Sequence, residues 1–242
     1  MKELASPSWH FEIFDELPST QDVAIAAARD GTPGPLAVVA MRQTAGRGRA
    51  GRSWTAPEGN LNFSAMVRPT PAPLLAAAWA LTAGVAMYEA IVAYLPAANR
   101  LMLKWPNDLL LDGAKLAGVL IDSSLAQDGT VDWVVIGVGV NVASAPRVEG
   151  RATACLADAG VAAPPEALAH NLMAEIDRWR DAPFAEVRTA WLARAHPVGT
   201  RLHVQTGGQV IEGAFAGLSE DGKLKLEGAG EAASGDVEIA GT

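Results

Sequence analysis

Gly46, Arg47, Gly48, Arg49, Ala50, Gly51, Arg52, Ser53 and Trp54 form one run in which three glycines alternate with three arginines. Glycine lets a backbone approach an anion closely, and a guanidinium presents a rigid fork of donors, so the run suits a phosphate or a carboxylate. Each charge-assisted hydrogen bond contributes roughly 1.5–3 kcal/mol. The run also spells G-x-G-x-x-G, but a dinucleotide fingerprint must open a helix, and Pro57 and Gly59 follow Trp54 instead. By spacing alone a solvated basic loop fits equally well.

Further clusters follow. Lys104-Trp105-Pro106-Asn107-Asp108 delivers an ammonium, an amide and a carboxylate where a strand breaks at proline; alone it also fits a turn with a surface lysine. Lys115 opens the apolar stretch Leu116-Ala117-Gly118-Val119-Leu120-Ile121, from which a lysine aimed into a pocket would neutralise a transferring phosphoryl group, although most strand-end lysines are solvated. In Val135 to Val142, Gly137 and Gly139 thin a strand where something approaches the backbone, either a ligand or a packed helix, and Asn141 ends it with a donor and an acceptor. His10, His170, His196 and His203 lack ligand spacing with one another or with Cys155, so no metal site is expected. Ser19, Ser53 and Ser64 lack a nucleophile-elbow context.

The chain that must position these groups has 242 residues, half of them hydrophobic, with a formal net charge of −8. Disorder is excluded, and a broad electrostatic grip on nucleic acid or an anionic membrane is disfavoured, so any anion site must be local. One cysteine forms no intrachain disulfide, and the first residues contain no apolar stretch of signal-peptide length, which places the chain in the cytoplasm. Between residues 72 and 95 the only charge is Glu89, but nine of those residues are alanine and no basic cluster flanks them, so a buried helix is expected rather than a membrane span.

Ser19-Thr20-Gln21-Asp22 has the spacing of a helix-capping box ahead of a short helix that ends at Gly31, which puts Ser19 and Thr20 at a helix mouth. Residues 36–41 read as a strand, 43–54 as a loop, and 61–67 as a half-buried strand. Strand patterns at 101–105 with 109–111, 116–123 and 131–142 are divided by Asp112-Gly113 and Asp128-Gly129, the signal of an antiparallel meander. Residues 143–151 read as a mobile loop and 165–195 as helical. From Gly199 onward, short apolar runs punctuated by glycines predict a small β-barrel. The fold class is therefore α+β, with a larger domain over residues 1–195 and a barrel domain over 196–242.

Taken in order, Ser19-Thr20, the Gly-Arg loop, Lys-Trp-Pro-Asn-Asp, Lys-Leu-Ala-Gly-Val-Leu-Ile and Gly-Val-Gly-Val-Asn resemble the biotin protein ligase family, in the form without an N-terminal DNA-binding domain. The resemblance implies a mixed, largely antiparallel sheet flanked by helices, like a class II aminoacyl-tRNA synthetase, plus an SH3-like barrel. It implies a two-step reaction in which biotin and ATP form biotinyl-5′-AMP, and a lysine of a biotin carboxyl carrier domain then takes the biotinyl group. Implied biotin contacts are Ser19, Thr20, Gln21, Gln43, Arg47, Gly48, Arg49, Lys115 and Gly118. Arg52, Trp54, Asn107 and Asn141 would face the nucleotide, with residues 143–151 ordering over it. Arg49, Lys104 and Lys115 would neutralise charge in catalysis, and Asp108 would orient or deprotonate the acceptor lysine. Gln21 departs from the family's usual asparagine.

ATP with Mg²⁺, and biotin, are the implied substrates, with no permanently bound metal, no nucleic acid or membrane partner, and a monomer or homodimer as the working form. Two alternatives remain at this point: a lipoate or octanoate ligase of the same fold, and a non-catalytic nucleic-acid binder that uses Arg47, Arg49 and Arg52.

Overall fold

A computed structural model describes residues 9–69, 76–97 and 100–240. The expected helix over 72–95 therefore lies partly outside the described residues. The chain runs β1 (His10–Leu17), α1 (Thr20–Arg29), β2 (Leu36–Gln43), β3 (Leu61–Val67), α2 (Ala76–Val92), β4 (Leu101–Lys104), β5 (Asp108–Leu111), β6 (Ala114–Leu125), β7 (Val131–Val140), α3 (Pro165–Arg180) and α4 (Phe184–Leu192). It closes with the short strands β8 (Arg201–Thr206), β9 (Gln209–Leu218), β10 (Leu224–Leu226), β11 (Gly230–Ala232) and β12 (Asp236–Ile239).

The first sheet has the order β1-β2-β3-β7-β6-β5-β4. Only β1 and β2 are parallel, and β4 to β7 form the predicted meander. At its tightest turn Asp112 and Gly113 both have positive φ, 49° and 83°, as a two-residue hairpin requires. At the second turn Gly129 is left-handed but Asp128 is not, and the turn is longer.

Strand β3 is buried along its whole length rather than half-buried, because both faces of the sheet are covered. Leu61, Phe63, Ala65 and Val67 join the larger core with α2 and α3, while Met66 joins a smaller core with Ala24, Ile25 and Ala28 of α1. Strand periodicity therefore turns Asn62 and Ser64 to the α1 side. The same alternation in β7 sends Val134, Ile136, Val138 and Val140 to the large core and Gly137 and Gly139 to the α1 side. A polar floor results where α1 is too short to cover the sheet.

Helix α2 is apolar on nearly every side because it lies under the sheet and against α3 and α4. Among the described residues, no helix is long and apolar enough to cross a membrane. Glu89 forms an ion pair with Arg194.

The C-terminal strands form one antiparallel sheet in the order β11-β10-β9-β8-β12. Its edge strands, β11 and β12, are not paired with each other, so the barrel expected from the hairpins is an open sheet among the described residues. Trp105 Nε1 donates to Gly222 O at 3.2 Å and Lys104 Nζ donates to Val237 O at 3.0 Å, which fastens this sheet beside the β4–β5 edge.

Candidate active site

Above the polar floor lies a cleft whose walls come from the start of α1, the 46–54 loop, the β5–β6 region and the edge of the second sheet. Ser19, Thr20, Gln21, Gln43, Arg47, Gly48, Arg49, Arg52, Trp54, Asn107, Asp108, Lys115 and Gly118 all line it. Two residues singled out in the sequence do not. Lys104 lies in the adjoining groove, engaged with Val237 O and 3.4 Å from Asp108 Oδ2. Asn141 is buried behind the wall, where its Nδ2 donates to Ala154 O at 3.1 Å.

The floor is a hydrogen-bonded mesh. Gln43 Oε1 accepts from the Thr20 backbone N–H at 2.8 Å and from Thr20 Oγ1 at 3.2 Å, while Gln43 Nε2 donates to Asn62 Oδ1 at 3.1 Å. Thr20 Oγ1 lies 2.8 Å from Ser64 Oγ, which donates to Gln21 Oε1 at 3.0 Å. Gln21 Nε2 donates to Asp122 Oδ2 at 2.9 Å and Val135 O at 3.3 Å. The longer amide at 21 thus reaches across to β6 and β7, and Gly137 makes room for it, since a Cβ there would fall 2.4 Å from Gln21 Oε1.

Ser19 does not cap α1 as the sequence spacing suggested; no side-chain capping bond forms. Its Oγ is buried and has no hydrogen-bond partner among the described residues. An unpaired buried hydroxyl costs about 1–3 kcal/mol, so Ser19 is the floor group most in need of a partner in the cleft.

The cations stand at the other end. Lys115 Nζ is 2.6 Å from Asp108 Oδ1 and 5.7 Å from the centre of the Trp54 ring. Gly118 leaves space for it: a Cβ at 118 would sit 3.3 Å from Lys115 Nζ. Arg49 Nη1 donates to Asn107 Oδ1 at 2.8 Å, and Asn107 Nδ2 is held by Val119 O at 2.6 Å. Burial pulls the Arg49 guanidinium below its ordinary pKa, against the opposing charges of Asp236 and Asp108.

Arg52 Nη2 donates to Asp236 Oδ1 at 2.8 Å. Burial works to raise the Asp236 carboxyl, but Arg52, with Arg151 and Arg49, outweighs it and holds the pKa below the usual value. Arg47 also lines the cleft, with its guanidinium engaged by two carboxylates. It is 2.7 Å from Asp22 Oδ1 of α1 and 3.4 Å from Asp122 Oδ2 of β6, and so ties the loop to both.

Several cleft residues escaped the sequence reading. Asn62 and Ser64 were visible as the polar alternates of β3. Arg151 was covered only as the end of the 143–151 segment expected to order over the nucleotide, and Asp236, 184 residues from the Arg52 it holds, carried no local signal. Residues 143–151 leave β7 and return so that Lys115 N–H donates to Ala152 O and Ala154 N–H to Lys115 O, at 2.9 and 3.0 Å.

A hydroxyl-and-amide floor at one end and a lysine with two arginines at the other suit a molecule with a neutral polar ring, a carboxylate and a phosphate. Charge of that kind develops when a carboxylate displaces pyrophosphate from a nucleotide, and fixed cations stabilise it.

A model of the biotin/lipoate A/B protein ligase family matches residues 14–141. The chain is 39% identical to the biotin–[acetyl-CoA-carboxylase] ligase of Paracoccus denitrificans, over 82% of this chain and 86% of that protein. It is 34% identical to the enzyme of the same name from Mycobacterium tuberculosis, over 96% and 90%. Its fold is similar to that of the biotin protein ligase of Aquifex aeolicus in complex with biotin and ATP, with a TM-score of 0.74, 26% identity, and 96% and 98% of the two chains covered. The biotin protein ligase of Leishmania major in complex with biotinyl-5-AMP gives a TM-score of 0.68 and 28% identity, over 98% and 100%.

Proposed function

This chain belongs to the biotin/lipoate A/B protein ligase family, and we infer that within it the chain is a biotin protein ligase. It activates biotin with ATP to biotinyl-5′-AMP and transfers the biotinyl group to a lysine of a biotin carboxyl carrier domain. The observation that carries this reading is the cleft itself, where the Ser19–Thr20–Gln43 floor and the Arg49, Arg52 and Lys115 cations line one space.

In the proposed mechanism the biotin ureido ring meets the floor, with Ser19 Oγ as its first partner. The carboxylate points to Lys115 and attacks the ATP α-phosphorus; the bond to the β-phosphate oxygen breaks and pyrophosphate leaves. Arg49, Arg52 and Lys115 offset the like charges brought together in that step. Mg²⁺ bound with ATP would supply further neutralisation of phosphate charge, and Asp108 or Asp236, the carboxylates that line the cleft at this end, would hold it. The acceptor amine then attacks the anhydride carbonyl carbon, AMP departs, and the amine proton is released. We assign Asp108 to orient that lysine once Lys115 turns from it to the bound phosphate.

Residues 1–195 act as the unit that holds biotin and nucleotide. Residues 196–242 act as a smaller unit that supplies Asp236. We assign the place of action to the cytoplasm, in keeping with a sequence whose one cysteine, Cys155, forms no intrachain disulfide.

The nucleic-acid reading is the weaker one, because Arg47, Arg49 and Arg52 line one cleft with Lys115 in a chain of net charge −8. The lipoate reading is separated by experiment. With ATP and each acid in turn, pyrophosphate should be released with biotin and not with lipoate; the opposite pattern overturns the assignment.

A further inference from the structure

Asn60 immediately precedes β3 and is 1% exposed. Its Oδ1 accepts three consecutive backbone N–H groups, from Val142 at 2.8 Å, Ala143 at 2.9 Å and Ser144 at 3.3 Å. Its Nδ2 donates to Ser144 O at 2.8 Å. One amide thus meets the backbone at the point where the chain leaves β7 and the 143–151 segment begins. The preceding residue is shaped for the same contact: Gly59 has φ +85°, and a Cβ there would fall 2.9 Å from Ala143 Cβ. At its far end the segment is pinned by the backbone pairing of Lys115 with residues 152 and 154. Between the two anchors it delivers Arg151 to the cleft, 4.0 Å from Asp236.

We propose that Asn60 is a positioning residue for the adenylation step: it does not line the cleft, but it fixes the near end of the segment that brings Arg151 to the nucleotide end of it. The inference rests on the biotin ligase reading of the cleft. Three adjacent N–H groups that share one acceptor cannot all be re-paired by rotating a single peptide, so removing the acceptor frees the segment. The floor is unaffected, because no Asn60 bond reaches Ser19, Thr20, Gln43, Asn62 or Ser64.

The test compares the parent with Asn60→Ala and Asn60→Asp, measuring pyrophosphate release at varied ATP and varied biotin, biotin binding without ATP, and amide exchange at residues 142–144. Asn60→Ala should raise the KM for ATP roughly tenfold, leave biotin binding within about twofold, and lose protection at those amides. Asn60→Asp keeps the acceptor and should recover most of the ATP effect. The proposal is overturned if the KM for ATP is unchanged, if biotin binding falls equally, or if the Asp variant is no better than Ala. If Asn60→Ala does not fold, the Asp variant decides alone: near-parental KM for ATP with protected amides supports the proposal, and loss of ATP affinity with those amides still protected overturns it. Failure of the parent to release pyrophosphate with biotin would overturn the functional reading instead.

Discussion

The Trp54 indole lies directly on the bare backbone of Gly139: a Cβ at 139 would fall 2.2 Å from the ring. The β7 glycine is therefore the seat of the arginine loop, whose other end is set by Gly46, where a Cβ would fall 2.3 Å from Trp54 O.

Gly139→Ala should lift Trp54 and displace Arg49 and Arg52 with it. Overpacking of this kind costs roughly 1–3 kcal/mol, and a misplaced catalytic group costs about 10²-fold in rate. The expected result is a large fall in adenylate formation with a modest fall in Tm, read by pyrophosphate release and thermal melting side by side.

Lys115→Ala should reduce adenylation by roughly 10²-fold while biotin binding changes much less, because Lys115 faces charge that develops in the transition state whereas the floor binds the ring. Turnover and KM measured separately check this; a loss confined to affinity would contradict the role.

Arg49→Ala should abolish most adenylate formation and leave the fold intact, since the side-chain hydrogen bond lost is the one to Asn107, roughly 1.5–3 kcal/mol for a charged donor. Circular dichroism with adenylate quantification tests it; parental adenylate yield would remove Arg49 from the mechanism.

Most of the residues that line the cleft were legible because they sit in short contiguous runs. The Gly-Arg loop, the strand break at Pro106 and the lysine after the Asp112-Gly113 turn each announce themselves by local residue type. The inference that something approaches Gly137 and Gly139 holds, but the approaching groups are the chain's own Gln21 and Trp54. What could not be read were relations that only folding creates. Asp236 comes from the second sheet, and Arg47 finds Asp22 and Asp122 across the cleft mouth. Strand β1 was overlooked because it lies at the sheet edge with a weak alternation, and Lys104 was assigned to the cleft although its neighbour Trp105 turns that edge toward the second sheet.

His196 supplies a pH prediction. It is 2% exposed at the junction of the two sheets, edge-on to Phe215, and neither ring nitrogen has a hydrogen-bond partner among the described residues. Burial, with Lys104 nearby, pushes its pKa down to about 4 from the ordinary 6.5. Below pH 6.5 the unfolded chain takes up a proton that the folded chain refuses until about pH 4, so stability falls as pH falls through that window, by about 3 kcal/mol from this group. Denaturant unfolding of the parent and His196→Leu between pH 7 and 4 should show a smaller acid loss in the variant; parallel curves would contradict the assignment.

The most direct test is a crystal structure of the protein grown with biotin and ATP. A single bound molecule should touch Ser19 Oγ at one end and Arg49 and Lys115 at the other. Ligand density elsewhere, or Arg49 and Lys115 turned to solvent while the cleft holds biotin, would contradict the account.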